Sequence, residues 1–156
     1  MVTALVALRA FLRRHRRIAL DTSIFIYYLE ANPTYEEMAS EVFTWLERST
    51  HTAVTSTITM TELLVHPYRA ANEELVNRYY SLLSSFPNLD WVAPDLAIAD
   101  TAARLRAEHG LRTPDALQAA TAIRRGATAF LTNDAGLVRV SEVEVAVLER
   151  LRSAIA

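Results

Sequence analysis

The sequence predicts an α/β protein built around a parallel sheet. Two observations lead there: short apolar or β-branched runs alternate along the chain with stretches of helical periodicity, and four acidic residues fall where a strand ends or a helix begins. Those residues are Asp21, Glu62, Asp115 and Asp134. A third observation limits the architecture to one domain. The chain has 156 residues and no internal repeat, low-complexity tract or composition break, and its 51% hydrophobic content is enough for one buried core.

Met1 to Leu12 is apolar, with Val2, Leu5, Val6, Leu8, Phe11 and Leu12 near helical spacing, and Arg13-Arg-His-Arg-Arg17 follows. A secretory signal carries its positive charge before the apolar stretch, so this order predicts a short amphipathic packing helix with a basic end. Arginine there complements the helix dipole, and the competing reading makes the same arginines an RNA-contacting arm. Ile18-Ala-Leu-Asp21 is a short strand, and Ser23 to Glu30 a helix that ends before Pro33. Tyr35 to Arg48 repeats Met38, Val42, Phe43, Trp45 and Leu46 at helical spacing. His51 to Thr55 is the second strand. Ser56 or Thr57 caps the next helix, which carries Glu62 and stops near His66-Pro67.

Ala71 to Phe86 forms a further amphipathic helix, and Leu89 to Val92 the third strand. Pro94 to His109 is helical and Gly110 closes it. Thr113 as cap and Pro114 as first helical residue give the clearest helix start, with the helix running to Arg125 before Gly126. Ala129 to Thr132 and Val143 to Leu148 are the last strands, and Glu149 to Ile155 a terminal helix.

Composition excludes several functions. Cysteine is absent, so neither a disulfide framework nor a thiolate zinc site exists, which is compatible with a cytoplasmic protein. No apolar run approaches the ~20 residues that span a bilayer. Only three glycines occur and none cluster, against a dinucleotide-binding turn. There is no lysine for a receiver-domain pocket, and Ser23 stands where a haloacid-dehalogenase pattern needs an acid. The formal charge is -2, yet setting the four acids aside leaves fourteen acidic residues against sixteen arginines. Arginine grips phosphate in a bidentate fork, which suits nucleic acid, although genome base composition also explains an arginine-only basic set.

Each acid has an ordinary alternative. Asp21 can cap the helix after it, Glu62 can close a capping box with Thr59, Asp115 lies where a negative charge suits the helix dipole, and Asp134 can belong to a turn. Separate caps do not predict that all four share one edge of one sheet, with Thr22, Ser23, Thr132 and Asn133 as supporting polar groups. Carboxylates gathered in one pocket repel unless a divalent cation neutralises them, so the pattern points to a metal site and phosphate chemistry. His15, His51, His66 and His109 lack ligand spacing, and Trp45, Trp91, Tyr79 and Tyr80 are read as packing residues.

The segments Leu20-Asp-Thr-Ser23, Thr59-Met-Thr-Glu-Leu63, Arg112-Thr-Pro-Asp-Ala-Leu-Gln-Ala-Ala-Thr-Ala122 and Phe130-Leu-Thr-Asn-Asp134 together resemble the PIN-domain nucleases, especially the VapC-type toxin ribonucleases. The resemblance covers Ile18 to about Leu148 and is most specific in its third segment. It implies a five-stranded parallel sheet flanked by helices, an acidic pocket binding magnesium or manganese, and hydrolysis of RNA phosphodiesters. The family's acidic positions carry over onto Asp21, Glu62, Asp115 and Asp134, and its polar position onto Thr132 and Asn133, with Ser23 as a further supporting group. Asp21 and Asp115 are the expected direct ligands, Asp134 completes the shell, Glu62 holds a second ion or orients water, and Arg112 is either a solvated surface residue or a grip on a neighbouring phosphate. A homodimer and a small cognate antitoxin are the implied partners, with no membrane association. Residues 1–17 form an amino-terminal helical extension before a nuclease domain at 18–156. A housekeeping RNA-processing nuclease and a noncatalytic interaction module of the same fold are the alternatives.

Overall fold

Side chains alternate from one face to the other along a strand, and the short strands of this protein use both faces for burial. A computed structural model describes residues 3–48 and 50–153. Its strands are β1 (Arg17–Leu20), β2 (Thr52–Ser56), β3 (Leu89–Val92), β4 (Ala129–Thr132) and β5 (Glu144–Val147), all parallel, in the spatial order β3-β2-β1-β4-β5. The helices are α1 (Ala4–Leu12), α2 (Thr22–Leu29), α3 (Glu36–Leu46), α4 (Ile58–Arg69), α5 (Glu73–Ser84), α6 (Leu96–His109), α7 (Thr113–Arg124) and α8 (Leu148–Ser153). Ile18 and Leu20 of β1 join Leu131 of β4 in a core built with α1, α2 and α3, while Ala19, Val54 and Phe130 face a second core under α6 and α7. That sandwich of helices around a parallel sheet is the predicted α/β class.

Every predicted strand is present. Several helix ends shift for local reasons. Helix α4 runs through Pro67 to Arg69 instead of stopping before it, because the missing N–H falls in the last turn, where one lost intrahelical bond is tolerated. Helix α5 starts at Glu73, where the Asn72 side chain accepts from Leu75 N at 3.0 Å, and α6 starts at Leu96 under an Asp95 cap to Ile98 N at 2.9 Å. Thr113 is already helical in α7, so Arg112 occupies the cap position and makes no capping bond with its side chain. Gly110 adopts φ +66°, the left-handed stop expected after α6. A 3₁₀ turn at Ala135–Arg139 follows β4 and was not expected. Met1 and Val2 of the predicted first helix, and Ala154 and Ile155 of the last, lie outside the described residues.

The amino-terminal helix is a packing element. Leu8, Phe11 and Leu12 are almost fully buried and belong to the same core as Phe25 and Phe43. Much of the basic turn after it is used structurally: Arg14 pairs with Glu144, the His15 ring joins Thr128 Oγ1 at 2.7 Å and Glu144 at 2.8 Å, and Arg17 pairs with Asp90 at 2.8 Å. These contacts lie at the amino-terminal edge of the sheet. His51 stacks on Trp45 with ring centroids 4.1 Å apart, again a packing role. Among the described residues no helix is long and apolar enough to cross a membrane.

If α1 is an integral part of the core, Leu8→Ala should destabilise the protein by about 2–5 kcal/mol in chemical denaturation. A cost below ~1 kcal/mol would instead mark α1 as an appendage.

Candidate functional site

Strand order reverses between β1 and β4: from β1 the chain adds β2 and β3 on one side, then returns to add β4 and β5 on the other, and a crevice opens at the carboxyl ends of β1 and β4. Asp21 follows β1 and Asp134 follows the last residues of β4, so they flank this switch point. Asp21 N donates to Leu131 O at 2.9 Å and ties the two strand ends together. Asp115, third residue of α7, and Glu62 of α4 reach the same crevice. All four predicted acids line one cleft of about 470 Å³, together with Ser23, Tyr27, Asn133 and Arg112, the only cation in its lining among the described residues.

Thr132 organises the centre. Its hydroxyl donates to Asp21 Oδ2 at 2.7 Å and accepts from Asp134 N at 3.0 Å. The other Asp21 oxygen accepts from Thr22 N at 2.8 Å. Asp21 does occupy the capping position of α2, but its side chain misses the second and third helical amides that a cap ordinarily serves. Asp134 heads the 3₁₀ turn and accepts from Gly136 N at 2.8 Å, as the turn reading expects. A Cβ on Gly136 would lie 3.1 Å from that carboxylate, so glycine permits the close approach. Asp115 accepts from Arg112 Nε at 3.1 Å, an ion pair whose arginine is 81% exposed and therefore worth little.

Glu62 does not close a box with Thr59, which is fully buried within α4. It accepts from Thr22 Oγ1 at 2.8 Å. Beneath that pair lies a buried polar network invisible to sequence reading. Gln118 Nε2 donates to Thr59 Oγ1 at 2.7 Å, Thr59 meets Thr55 at 2.8 Å, and Thr55 donates to Leu20 O at 2.9 Å. Each hydroxyl has one proton. Thr55 spends its own on Leu20, so Thr59 donates to Thr55, and Thr22 spends its own on Glu62. The 3.2 Å Thr22–Thr59 approach is then a contact without a proton between the oxygens. Gln118 Nε2 also reaches Thr22 Oγ1 at 3.4 Å and Ser56 N donates to Gln118 Oε1 at 3.3 Å, so α7, β2, α2 and α4 are joined through one amide. The available signal was a single glutamine among the alanines of α7, on its buried face.

Asn133 proves structural as well as local to the site: it donates to Tyr27 Oη at 2.8 Å and accepts from Glu149 N at 2.9 Å, capping α8 from outside.

Burial raises the Asp21 carboxyl to about 6; hydrogen bonds from Thr132 and Thr22 oppose the rise, and the charges of Asp115 and Glu62 add to it. Ser23 Oγ is buried in the cleft wall without a hydrogen-bond partner among the described residues. Among those residues no group of three Asp, Glu or His side chains is gathered tightly enough to hold a metal ion as it stands. The donor set nevertheless fits a hard cation: it is all oxygen, it carries uncompensated negative charge, and magnesium takes one or two carboxylates and completes its shell with water.

The chain matches the PIN domain family over residues 18–143. No curated protein sequence matches it. Among solved structures it is similar to VapBC-1 from nontypeable Haemophilus influenzae, with 22% identity over 85% of this chain and 98% of the other at a TM-score of 0.66. It is similar also to VapBC2 from Rickettsia felis bound to a promoter DNA fragment (18% identity, 83% and 97% coverage, TM-score 0.64). VapBC-5 from Mycobacterium tuberculosis matches at 26% identity, 85% and 98% coverage, TM-score 0.56.

Because the folded-state value of Asp21 lies above its unfolded value of ~3.9, the folded protein holds the extra proton between the two. The stability this contributes is fully present below pH ~4 and is lost as pH rises through about 6, roughly 3 kcal/mol in all. In metal-free protein Asp21→Asn should therefore raise stability at neutral pH by about 1–3 kcal/mol and much less at pH ~4. Urea unfolding at the two pH values measures this, and an equal effect at both would show that Asp21 is not held against a desolvation penalty.

Proposed function

The chain belongs to the PIN domain family, and from that premise we propose that it is a magnesium- or manganese-dependent endoribonuclease, the toxin of a toxin–antitoxin pair. The observation that carries this reading is the meeting of Asp21, Glu62, Asp115 and Asp134 in one cleft at the sheet's switch point. Helix starts share that edge, but capping alone does not require four carboxylates to line a single cleft. The choice of RNA follows the resemblance of the four sequence segments to toxin ribonucleases.

Asp21 and Asp115 would hold the cation, Asp21 from the cleft floor and Asp115 from the first turn of α7, and Asp134 would complete the protein's share of the shell. A bound divalent cation supplies an activated water and neutralises charge on the phosphate oxygens. Thr132 fixes Asp21 by donating to Oδ2, which leaves the carboxylate one orientation in which to ligate. Thr22, Thr59 and Gln118 hold Glu62 at the cleft rim, where its carboxylate can accept a proton from a water. Arg112, released from Asp115, can grip an RNA phosphate next to the cleft.

The similar structures from Haemophilus influenzae and Rickettsia felis are of VapBC assemblies, and we extend that pairing to this chain: a small antitoxin restrains it. A homodimer and a cytoplasmic location complete the proposal. An exposed apolar strip on α4, with Val65 37% and Tyr68 65% exposed, offers such partners a surface.

Cleavage of single-stranded RNA should require magnesium or manganese and stop in excess chelator; undiminished cleavage by protein shown to be metal-free would overturn the mechanism. Asp115→Asn keeps the side-chain shape and should lower cleavage by orders of magnitude, while costing the metal-free fold no more than about 1 kcal/mol. It should also shrink the rise in thermal stability that magnesium confers on the wild type. Normal cleavage by a destabilised Asp115→Asn protein would return Asp115 to a helix-capping role.

A further inference from the structure

Far from the acidic cleft, the carboxyl-terminal ends of α1 and α3 enclose a second pocket of about 160 Å³. Both helices lead into the amino-terminal ends of their strands, β1 and β2, so the pocket lies by the sheet edge opposite the four acids. Arg9, Arg13 and Arg48 line it, with Glu41 as its one carboxylate and Thr44 and Trp45 in its wall. Arg9 takes both Glu41 oxygens, at 2.7 and 3.0 Å. Among the described residues neither Arg13 nor Arg48 makes an ion pair or a side-chain hydrogen bond; Arg48 reaches Glu41 only through its field, so two guanidiniums share the pocket without a bonded carboxylate. The indole Nε1 of Trp45 is buried and also meets no acceptor.

Arginine beyond a helix end answers the helix dipole, which contributes about 0.3–1 kcal/mol and accounts for each residue separately. It does not account for three guanidiniums around one pocket whose only carboxylate is doubly bonded. Forked donors of this kind match the oxygens of a phosphate. We propose that this pocket binds one phosphate group of RNA; that RNA carries it rests on the proposed function. Three of its seven lining residues, Arg9, Leu12 and Arg13, precede the family match that begins at residue 18, so this contact depends on the chain's own amino-terminal helix. An RNA strand joining the two sites has to run over the helices that cover the sheet, a path longer than the ~13 Å of β1 itself at about 3.3 Å per residue.

The test compares wild type with the Arg13→Gln/Arg48→Gln double variant, using a fluorescent oligouridine long enough to reach both edges, in chelator so that it is bound without cleavage. Affinity should fall about tenfold, and the slope of log affinity against log salt should become shallower by about 1. Inorganic phosphate should compete with RNA for the wild type and lose that effect in the variant. Arg13→Lys/Arg48→Lys, which keeps the charge, should retain the salt slope, and thermal unfolding verifies that each variant is folded. Unchanged affinity and slope in the folded glutamine variant would overturn the proposal, as would phosphate binding that needs both arginines without any RNA binding. Metal-dependent RNA cleavage with an unchanged slope would remove this pocket and leave the nuclease reading standing. RNA that is held through these arginines, yet not cleaved when magnesium is added, would do the reverse.

Discussion

One hydroxyl joins the two strand ends on which the acidic cleft is built. Thr132 Oγ1 gives its proton to Asp21 and takes the amide proton of Asp134, so the residues that follow β1 and β4 are fixed relative to each other. Those strands are neighbours because the sheet reverses its order between them, and the reversal keeps any helix from covering the gap. Everything else in the site is referred to this seam: Asp115 enters from α7, which packs under the same strands, and Glu62 from α4.

Charge is arranged there at a cost. Asp21 is 9% exposed and feels two other carboxylates, which is why its proton is held to about 6. A chain selected only for stability would replace it with an apolar or amide side chain. Beneath the acids the Gln118 network resolves the opposite problem. It satisfies the polar groups of four elements with single protons and no formal charge, and so gives Glu62 a rigid footing without adding to the repulsion. Rigidity below and uncompensated charge above make a site whose negative field suits the divalent cation proposed for it.

The two edges of the sheet have opposite electrostatic characters. At the carboxyl edge helix starts and acids converge; at the amino edge helix ends and arginines converge, of which Arg14 and Arg17 pin the turn after α1 and the start of β1 to Glu144, Asp90 and Arg125 O. A nearly neutral net charge of -2 therefore hides a strong separation of charge along the strand direction.

The sequence by itself determined the order of strands and α-helices, all five strands, the alternation that makes an α/β sheet, and which four acids line one cleft, because periodicity and breaker residues are local signals. Helix ends at Pro67, Thr113 and Glu73 were misplaced by a few residues, since capping depends on which side chain reaches which amide. Of the supporting groups, Thr132 was legible as a neighbour of Asp134, whereas Thr55, Thr59 and Gln118 were not: each looks like an ordinary polar residue in a strand or helix until the packing of α7 on β2 and α4 brings them within a hydrogen bond. Tertiary structure alone also decided the basic turn, assigning Arg14, His15 and Arg17 to internal contacts and leaving Arg13 beside Arg9 and Arg48. The physical reason is the same in both cases. Burial and hydrogen-bond pairing are properties of positions in space, and residues as far apart in the chain as Thr22 and Gln118, or Arg13 and Arg48, acquire their roles only when the sheet brings their elements together.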